Sequence, residues 1–248
     1  MKRPKISTLI LLILFCSLSL YGQVEIKGSD LGVKVDLEGG NFSKAVNILL
    51  LLTMLSLVPS FIMMMTSYTR IVIVLNFLKQ AMGTQQAPSN KVVSSLALFL
   101  SIFIMYPVYT NIYKDAITPY SEKKISDKEA INKGIKHIKV FMLRQTRDSD
   151  LLMFMDLAKQ DPVETPEELS MHIVIPAFLI SELKTAFQMG FLIYLPFLVI
   201  DLVIATLLMS MGMMMLPPVM ISLPFKLLLF IMVDGWAMLI YSLVSSFG

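Results

Sequence analysis

Long apolar runs alternate with short polar segments along most of the chain. Uncharged stretches cover residues 45–69 and 92–113, and an almost continuous apolar stretch covers residues 171–248. A helix rises 1.5 Å per residue, so about 20 residues cross the hydrocarbon core of a bilayer. The pattern predicts an all-α integral membrane protein with two helical hairpins, over residues 42–113 and 173–248.

Glycine and proline divide these runs. Pro59 predicts a kink or break inside the first uncharged stretch. Gly83 and Pro88 predict the turn of the first hairpin. Gly212 and the Pro217–Pro218 pair predict the second turn, so that a helix enters over about 173–210 and returns over about 219–246.

The amino terminus has the order of a secretory signal. Lys2, Arg3 and Lys5 precede an apolar run of about 15 residues, after which the sequence turns polar. We interpret residues 1–22 as a signal peptide and residues 23–41 as a flexible periplasmic leader. The alternative is a short uncleaved anchor helix. The only cysteine, Cys16, lies in this segment, so a mature chain without it has no disulfide and no thiol nucleophile.

Charge in the first hairpin predicts its orientation. Residues 67–92 contain Arg70, Lys79 and Lys91 and no acidic residue. Short basic loops lie on the cytoplasmic side. These three residues are therefore assigned to a cytoplasm-side loop, which agrees with the direction that the signal peptide implies.

Residues 114–172 differ from the rest in being rich in both charges. Ser126 and Glu129 have the spacing of a capping box. Apolar residues at helical spacing follow, and Thr165 with Pro166 resembles a further helix start. We predict a small helical periplasmic domain. The apolar residues at helical spacing are Ile131, Ile135, Ile138 and Met142.

Charged residues inside the second hairpin are candidates for subunit contacts or for buried intramembrane pairs, because an unpaired charge there is expensive. They are Glu182, Lys184, Asp201, Lys226 and Asp234. Asp201 and Lys226 lie at similar distances from the predicted turn, which suggests an ion pair. Glu182 and Lys184 point to different faces of a helix, which favours packing against neighbouring subunits or a wet lumen. The alternative is a helix end at the membrane surface.

A methionine cluster occupies the second turn: Met209, Met211, Met213, Met214 and Met215. Thioether side chains are flexible and apolar. At a hairpin tip repeated around a ring, they would form a deformable constriction. The alternative is ordinary lipid-facing or core methionine, since the chain has 20 of them.

Composition and motifs narrow the function. Only 16% of residues are charged and the net charge is +3, which argues against a nucleic-acid partner and an ordinary soluble enzyme. We find no catalytic motif and no metal-ligand cluster, and His137 and His172 lie far apart. No cofactor is expected. Two functions stay open at this point, a small-solute or ion transporter and a membrane enzyme.

Two stretches resemble the FliP family. They are Thr69–Asn90, which reads TRIVIVLNFLKQAMGTQQAPSN, and Pro176–Phe191, which reads PAFLISELKTAFQMGF. The resemblance continues through Met213–Pro218, which reads MMMLPP, to Trp236 and covers roughly residues 42–247. It implies several copies assembled into a ring with FliQ-like and FliR-like subunits.

The resemblance also implies a place and a role. The ring would be the export gate of a flagellar type III apparatus, in the inner membrane at the flagellar basal body. It would contact FlhA-like and FlhB-like components and conduct unfolded flagellar substrates. The methionine cluster would line the narrow point of the pore. The signal peptide and the sequence Gly83-Thr-Gln-Gln86 favour the flagellar branch of the family over the virulence branch. A subunit of a virulence-type type III export apparatus is the alternative.

Overall fold

The computed structural model describes residues 42–84, 87–160, 163, 165–213 and 216–248. The predicted signal peptide and leader lie outside these residues. All regular structure within the described part is helical, which confirms the all-α prediction. The chain divides between Ile62 and Met63 into two compact units.

The described residues form nine α-helices and two short helical turns. A π-helical turn, Tyr113–Ile117, continues α3 into α4, so residues 90–121 form one rod. A 3₁₀ turn covers Pro166–Glu168. The α-helices are α1 Phe42–Met64, α2 Tyr68–Ala81, α3 Asn90–Ile112, α4 Thr118–Ser121, α5 Asp127–Gln145, α6 Asp148–Leu157, α7 Met171–Ser210, α8 Pro218–Met232 and α9 Gly235–Ser245.

Pro59 does not break the first helix. α1 runs through this proline and ends at Met64. The break falls at residues 65–67 instead, where polar side chains satisfy the freed backbone. The Thr66 hydroxyl donates to the Met63 carbonyl at 2.8 Å and accepts from the Tyr68 amide at 3.3 Å. Hydroxyl groups of this kind allow an apolar helix to end away from water.

The larger hydrophobic core of the second unit lies where α2 crosses α7, with α3, α8 and α9 around them. α2 makes its most extensive contacts with α7. The crossing is tight at Gly190, where a Cβ atom would lie 2.5 Å from the Phe77 ring. Glycine is therefore required there for steric reasons. The fully or almost fully buried residues include Ile71, Val74, Leu75, Leu78, Ala97, Ala186 and Leu243.

A second core joins α3, α5 and α7. It contains Met105, Met142, Val174 and Phe178. The capping box at the start of α5 is confirmed, since the Ser126 side chain accepts from the Glu129 amide and the Glu129 carboxylate accepts from the Ser126 amide.

Two predictions in this region need correction. Ile131 and Ile135 are 61% and 40% exposed, so only the later part of the α5 stripe enters the core. The helix predicted from Thr165 forms a single 3₁₀ turn, and α7 begins at Met171. Leu169, fully buried in extended backbone, separates the two.

Within the described residues, two helices are long and apolar enough to cross a membrane, Asn90–Ser121 and Met171–Ser210. The number rises to four if the α1–α2 pair and the α8–α9 pair each make one span. This supports the membrane class.

Candidate functional site

The methionine-rich turn between α7 and α8 is exposed. Gly212 has a φ of +73°, a conformation that favours glycine. The Gly212 amide donates to the Met209 carbonyl at 3.0 Å, and the Met213 amide donates to the Leu208 carbonyl at 3.0 Å. This pair of bonds is a Schellman motif, which ends α7 abruptly. Pro217 and Pro218 then begin α8.

The described methionines of this turn face away from the protein. Met209, Met211 and Met213 are 54%, 71% and 40% exposed. Met214 and Met215 lie outside the described residues. An exposed apolar tip of this kind requires lipid, another subunit or a pore to cover it.

A buried ion pair joins α2 to α7. The Arg70 Nε atom donates to Glu182 Oε2 at 2.9 Å, and a second guanidinium nitrogen donates to the other carboxylate oxygen. The side chains are 3% and 0% exposed. A bidentate contact of this kind is the strongest hydrogen-bonding geometry between a guanidinium and a carboxylate.

Arg70 also joins two further elements. It donates to the Gln145 side chain at the end of α5 and to the carbonyl and hydroxyl of Ser246, each at 3.0 Å. Its guanidinium lies 3.8 Å from the centre of the Phe247 ring. One cation therefore ties α2, α5, α7 and the residues after α9 together.

The assignment of Arg70 to a cytoplasm-side loop is therefore wrong. Residues 68–81 form a helix whose apolar face packs on α7, and Arg70 lies in its first turn. Lys79 lies in the last turn of α2 and Lys91 in the first turn of α3, so these two residues flank the loop. Glu182, which the sequence offered as a subunit contact or a buried intramembrane pair, is buried and paired with Arg70 of its own chain.

The ion pair predicted between Asp201 and Lys226 is present. Lys226 Nζ lies 2.6 Å from Asp201 Oδ2 and also donates to the Ala81 carbonyl at 3.0 Å. Ser222 donates to the second carboxylate oxygen. This pair fastens α7 to α8 and to the end of α2.

Lys184 pairs with a different element. It donates to Asp150 in α6, whose carboxylate is buried, and Lys184 itself is half-exposed. The preceding Arg147 adds contacts to the same turn of α7, since its amide donates to Ser181 and its guanidinium donates to Thr185 and Gln188. Glu182 and Lys184 thus point to different faces, as their spacing predicts.

The remaining candidates lie apart from these pairs. Asp234 is exposed, has a φ of +51° and precedes α9. His137 lies 2.9 Å from Asp115, and His172 contacts Ser170. Among the described residues, no group of three histidine, cysteine or acidic side chains is arranged to hold a metal ion.

No local sequence pattern connects Arg70 with Glu182, or either of them with Gln145 and Ser246. The sequence carries one usable signal. A lone arginine close to a long uncharged run requires an acidic partner, and Glu182 is an acid in another apolar run.

The FliP family model matches residues 51–243. The chain belongs to the FliP family. It is 54% identical over 207 residues to the flagellar biosynthetic protein FliP of Bacillus subtilis, which covers 84% of this chain and 94% of that protein. It is 50% identical to FliP of Pectobacterium carotovorum over 84% of this chain and 81% of that protein. FliP of Aquifex aeolicus is 49% identical, with 84% and 88% covered.

The match to the FliP family includes the candidate site. The matched range contains the methionine turn and the ion pairs of Glu182, Lys184 and Lys226. Ser246 and Phe247, which complete the surroundings of Arg70, follow the last matched residue.

Proposed function

We propose that this FliP family chain is a subunit of the flagellar type III protein export gate and helps to form its protein-conducting channel. Membership of the family and identity of about half to relatives named flagellar biosynthetic proteins support this role. The work of the chain is structural, and it catalyses no reaction itself. Nothing in its similarities favours a virulence-type apparatus or a small-solute transporter.

The exposed methionine turn is the observation that supports a role in the channel. Met209, Met211, Met213, Met214 and Met215 would line the narrowest point of a ring made by several copies. Flexible apolar side chains close around varied unfolded segments and exclude ions when no substrate is present. The ring would include FliQ-like and FliR-like subunits and contact FlhA-like and FlhB-like components.

The proposed location is the inner membrane at the flagellar basal body. The loop between Lys79 and Lys91 would face the cytoplasm, and the helical segment 114–172 would lie on the periplasmic side. Residues 1–22 would serve as the signal peptide and residues 23–41 as the leader. The two hairpins, 42–113 and 173–248, would form the membrane-associated body.

Ion leakage tests the proposed constriction. Alanine at Met209, Met211 and Met213 should raise ion leakage through the assembled complex in the inner membrane. The matched control replaces Met153, Met232 and Met238, three methionines that are exposed elsewhere. Equal leakage from both triple variants, in complexes of equal abundance, would contradict the constriction.

A further inference from the structure

Lys79 lies between two neighbouring cavities. The first has a volume of about 310 Å³ and an apolar lining that includes Leu75, Val92, Leu96 and Trp236. The second has a volume of about 520 Å³ and a polar lining that includes Asn76, Gln80, Thr84 and Asn90. Lys79 lines both. Both volumes fall within the range of about 300–1,000 Å³ that ligand sites occupy.

The positive charge around these cavities is not balanced by nearby acids in the sequence. No aspartate or glutamate occurs between Glu38 and Asp115. Lys79 donates to the Asn90 side chain at 2.8 Å, which is a neutral partner. Among the described residues, no carboxylate forms an ion pair with Lys79 or with the exposed Lys91. An ammonium group has three donors, so Lys79 retains capacity for an anion.

The cavities also lie at a defined end of the membrane-crossing rod. The last turns of α2, the loop after it and the first turns of α3 supply most of their lining, and Trp236 of α9 and Val219 of α8 add to it. The rod of residues 90–121 begins at Asn90. A lysine at such a position extends its charge to the membrane surface and keeps its methylene chain against apolar groups.

We propose that this pair of cavities binds an anionic phospholipid. An acyl chain would occupy the apolar cavity, and the headgroup phosphate would lie in the polar cavity beside Lys79. The apolar–polar division and the uncompensated charge match the two ends of such a lipid. Lipid binding at these cavities does not depend on what the channel conducts, so it can be correct even if the proposed export function is wrong.

Native mass spectrometry of the full chain, in whatever complex it is extracted in, tests the proposal. Delipidated protein is titrated with phosphatidylglycerol or phosphatidylcholine in mixed micelles. The wild-type protein should retain phosphatidylglycerol in preference, and Lys79→Gln should weaken that retention about tenfold. Val92→Trp, which fills the mouth of the apolar cavity, should also reduce it. Lys128→Gln changes the charge equally on the exposed face of α5 and should match the wild type.

Equal retention of the two lipids would overturn the proposal, as would wild-type retention by both Lys79→Gln and Val92→Trp. Soluble glycerol phosphate should not displace the lipid at equal concentration, and displacement would identify a free-phosphate site instead. A photo-crosslinking side chain at Val92 should label lipid in membranes. Its capture of a protein helix in high yield would show that a partner subunit fills the cavity. If Val92→Trp does not fold, Lys79→Gln decides the question.

Discussion

At the residue scale, the Arg70–Glu182 pair is removed from water on every side. Removing two charges from water costs several kcal/mol for each, and the geometry of this pair and its extra hydrogen bonds offset that cost. Gln145, Ser246 and Phe247 supply the remaining contacts to the guanidinium. Removing one of the two charges therefore destabilises the fold more than replacing both with apolar side chains.

Glu182→Gln should therefore destabilise the second unit strongly. It leaves a buried guanidinium uncompensated, at a cost of roughly 3–5 kcal/mol. The double variant Arg70→Met/Glu182→Met should be closer to the wild type. The thermal unfolding midpoint of the detergent-extracted protein measures both. Lys124→Ala removes an ion pair with 70% and 49% exposed side chains and should change little. A Glu182→Gln midpoint equal to that of Lys124→Ala would contradict the argument.

The two buried pairs show what spacing can predict. Asp201 and Lys226 lie at similar distances from a recognisable turn, so the sequence alone predicts their contact. Arg70 and Glu182 are 112 residues apart and belong to different hairpins. Only the crossing of α2 and α7 brings them together, and no local pattern contains that crossing.

Glycine substitutions test the crossing itself. Gly190→Ala places a Cβ atom 2.5 Å from the Phe77 ring and should cost about 1–3 kcal/mol by overpacking. Gly134→Ala is the matched control, because the nearest side-chain atom, on Ile112, lies at 3.8 Å. It should stabilise α5 by about 0.5–1 kcal/mol through helix propensity. Equal unfolding midpoints for the two variants would show that the crossing is looser than described.

At the element scale, local rules hold where no tertiary contact competes. The Ser126 cap is exposed, so its sequence pattern is sufficient to predict it. Thr165 and Pro166 carry an equally good pattern, yet burial of Leu169 in the second core stops that helix after one turn. Tertiary burial therefore decides the start of α7.

Ser126→Ala should weaken the first turn of α5 by roughly 1 kcal/mol, because one amide loses its acceptor. Hydrogen exchange of the amides of residues 127–130 measures this change. Ser121→Ala, an exposed serine in the preceding helix, is the control. Unchanged exchange in Ser126→Ala would contradict a working cap.

The same cap should respond to acid. Hydrogen bonds from the Ser126 amide and hydroxyl hold the pKa of Glu129 below its ordinary value. A carboxyl group with a lowered pKa in the folded state stabilises above its unfolded pKa, and loses that effect as pH falls through the folded value. Exchange of the first turn of α5, corrected for its intrinsic pH dependence, should rise below about pH 4. Glu129→Gln should abolish that step.

At the scale of the whole molecule, helix length exceeds what a simple span requires. α7 has 40 residues and a length of about 60 Å, against about 30 Å for the hydrocarbon core. Its first half is buried against α2 and α6, and its second half exposes a run of large apolar side chains. Hydropathy alone predicts that both halves face lipid, because it depends on residue composition and not on tertiary contacts.

The long helix of residues 90–121 gives a testable prediction of membrane topology, that is, of which end lies on which side. Its 32 residues give about 48 Å, so in a helix perpendicular to the membrane about twelve residues project beyond the hydrocarbon core. With the basic loop in the cytoplasm, the end near Tyr120 should be on the periplasmic side. Single cysteines at Lys91, Phe103 and Tyr120, introduced with Cys16→Ser, and an impermeant maleimide test this arrangement.

All three positions are exposed on the chain, so differences in labelling report their surroundings. Tyr120→Cys should react in intact cells once the outer membrane is permeable, and Lys91→Cys only after the inner membrane is opened. Phe103→Cys, 66% exposed on the chain, should not react in either case because lipid or a neighbouring subunit covers it. Labelling of Lys91→Cys in cells with an intact inner membrane would contradict this orientation. It would place the loop between Lys79 and Lys91 on the periplasmic side.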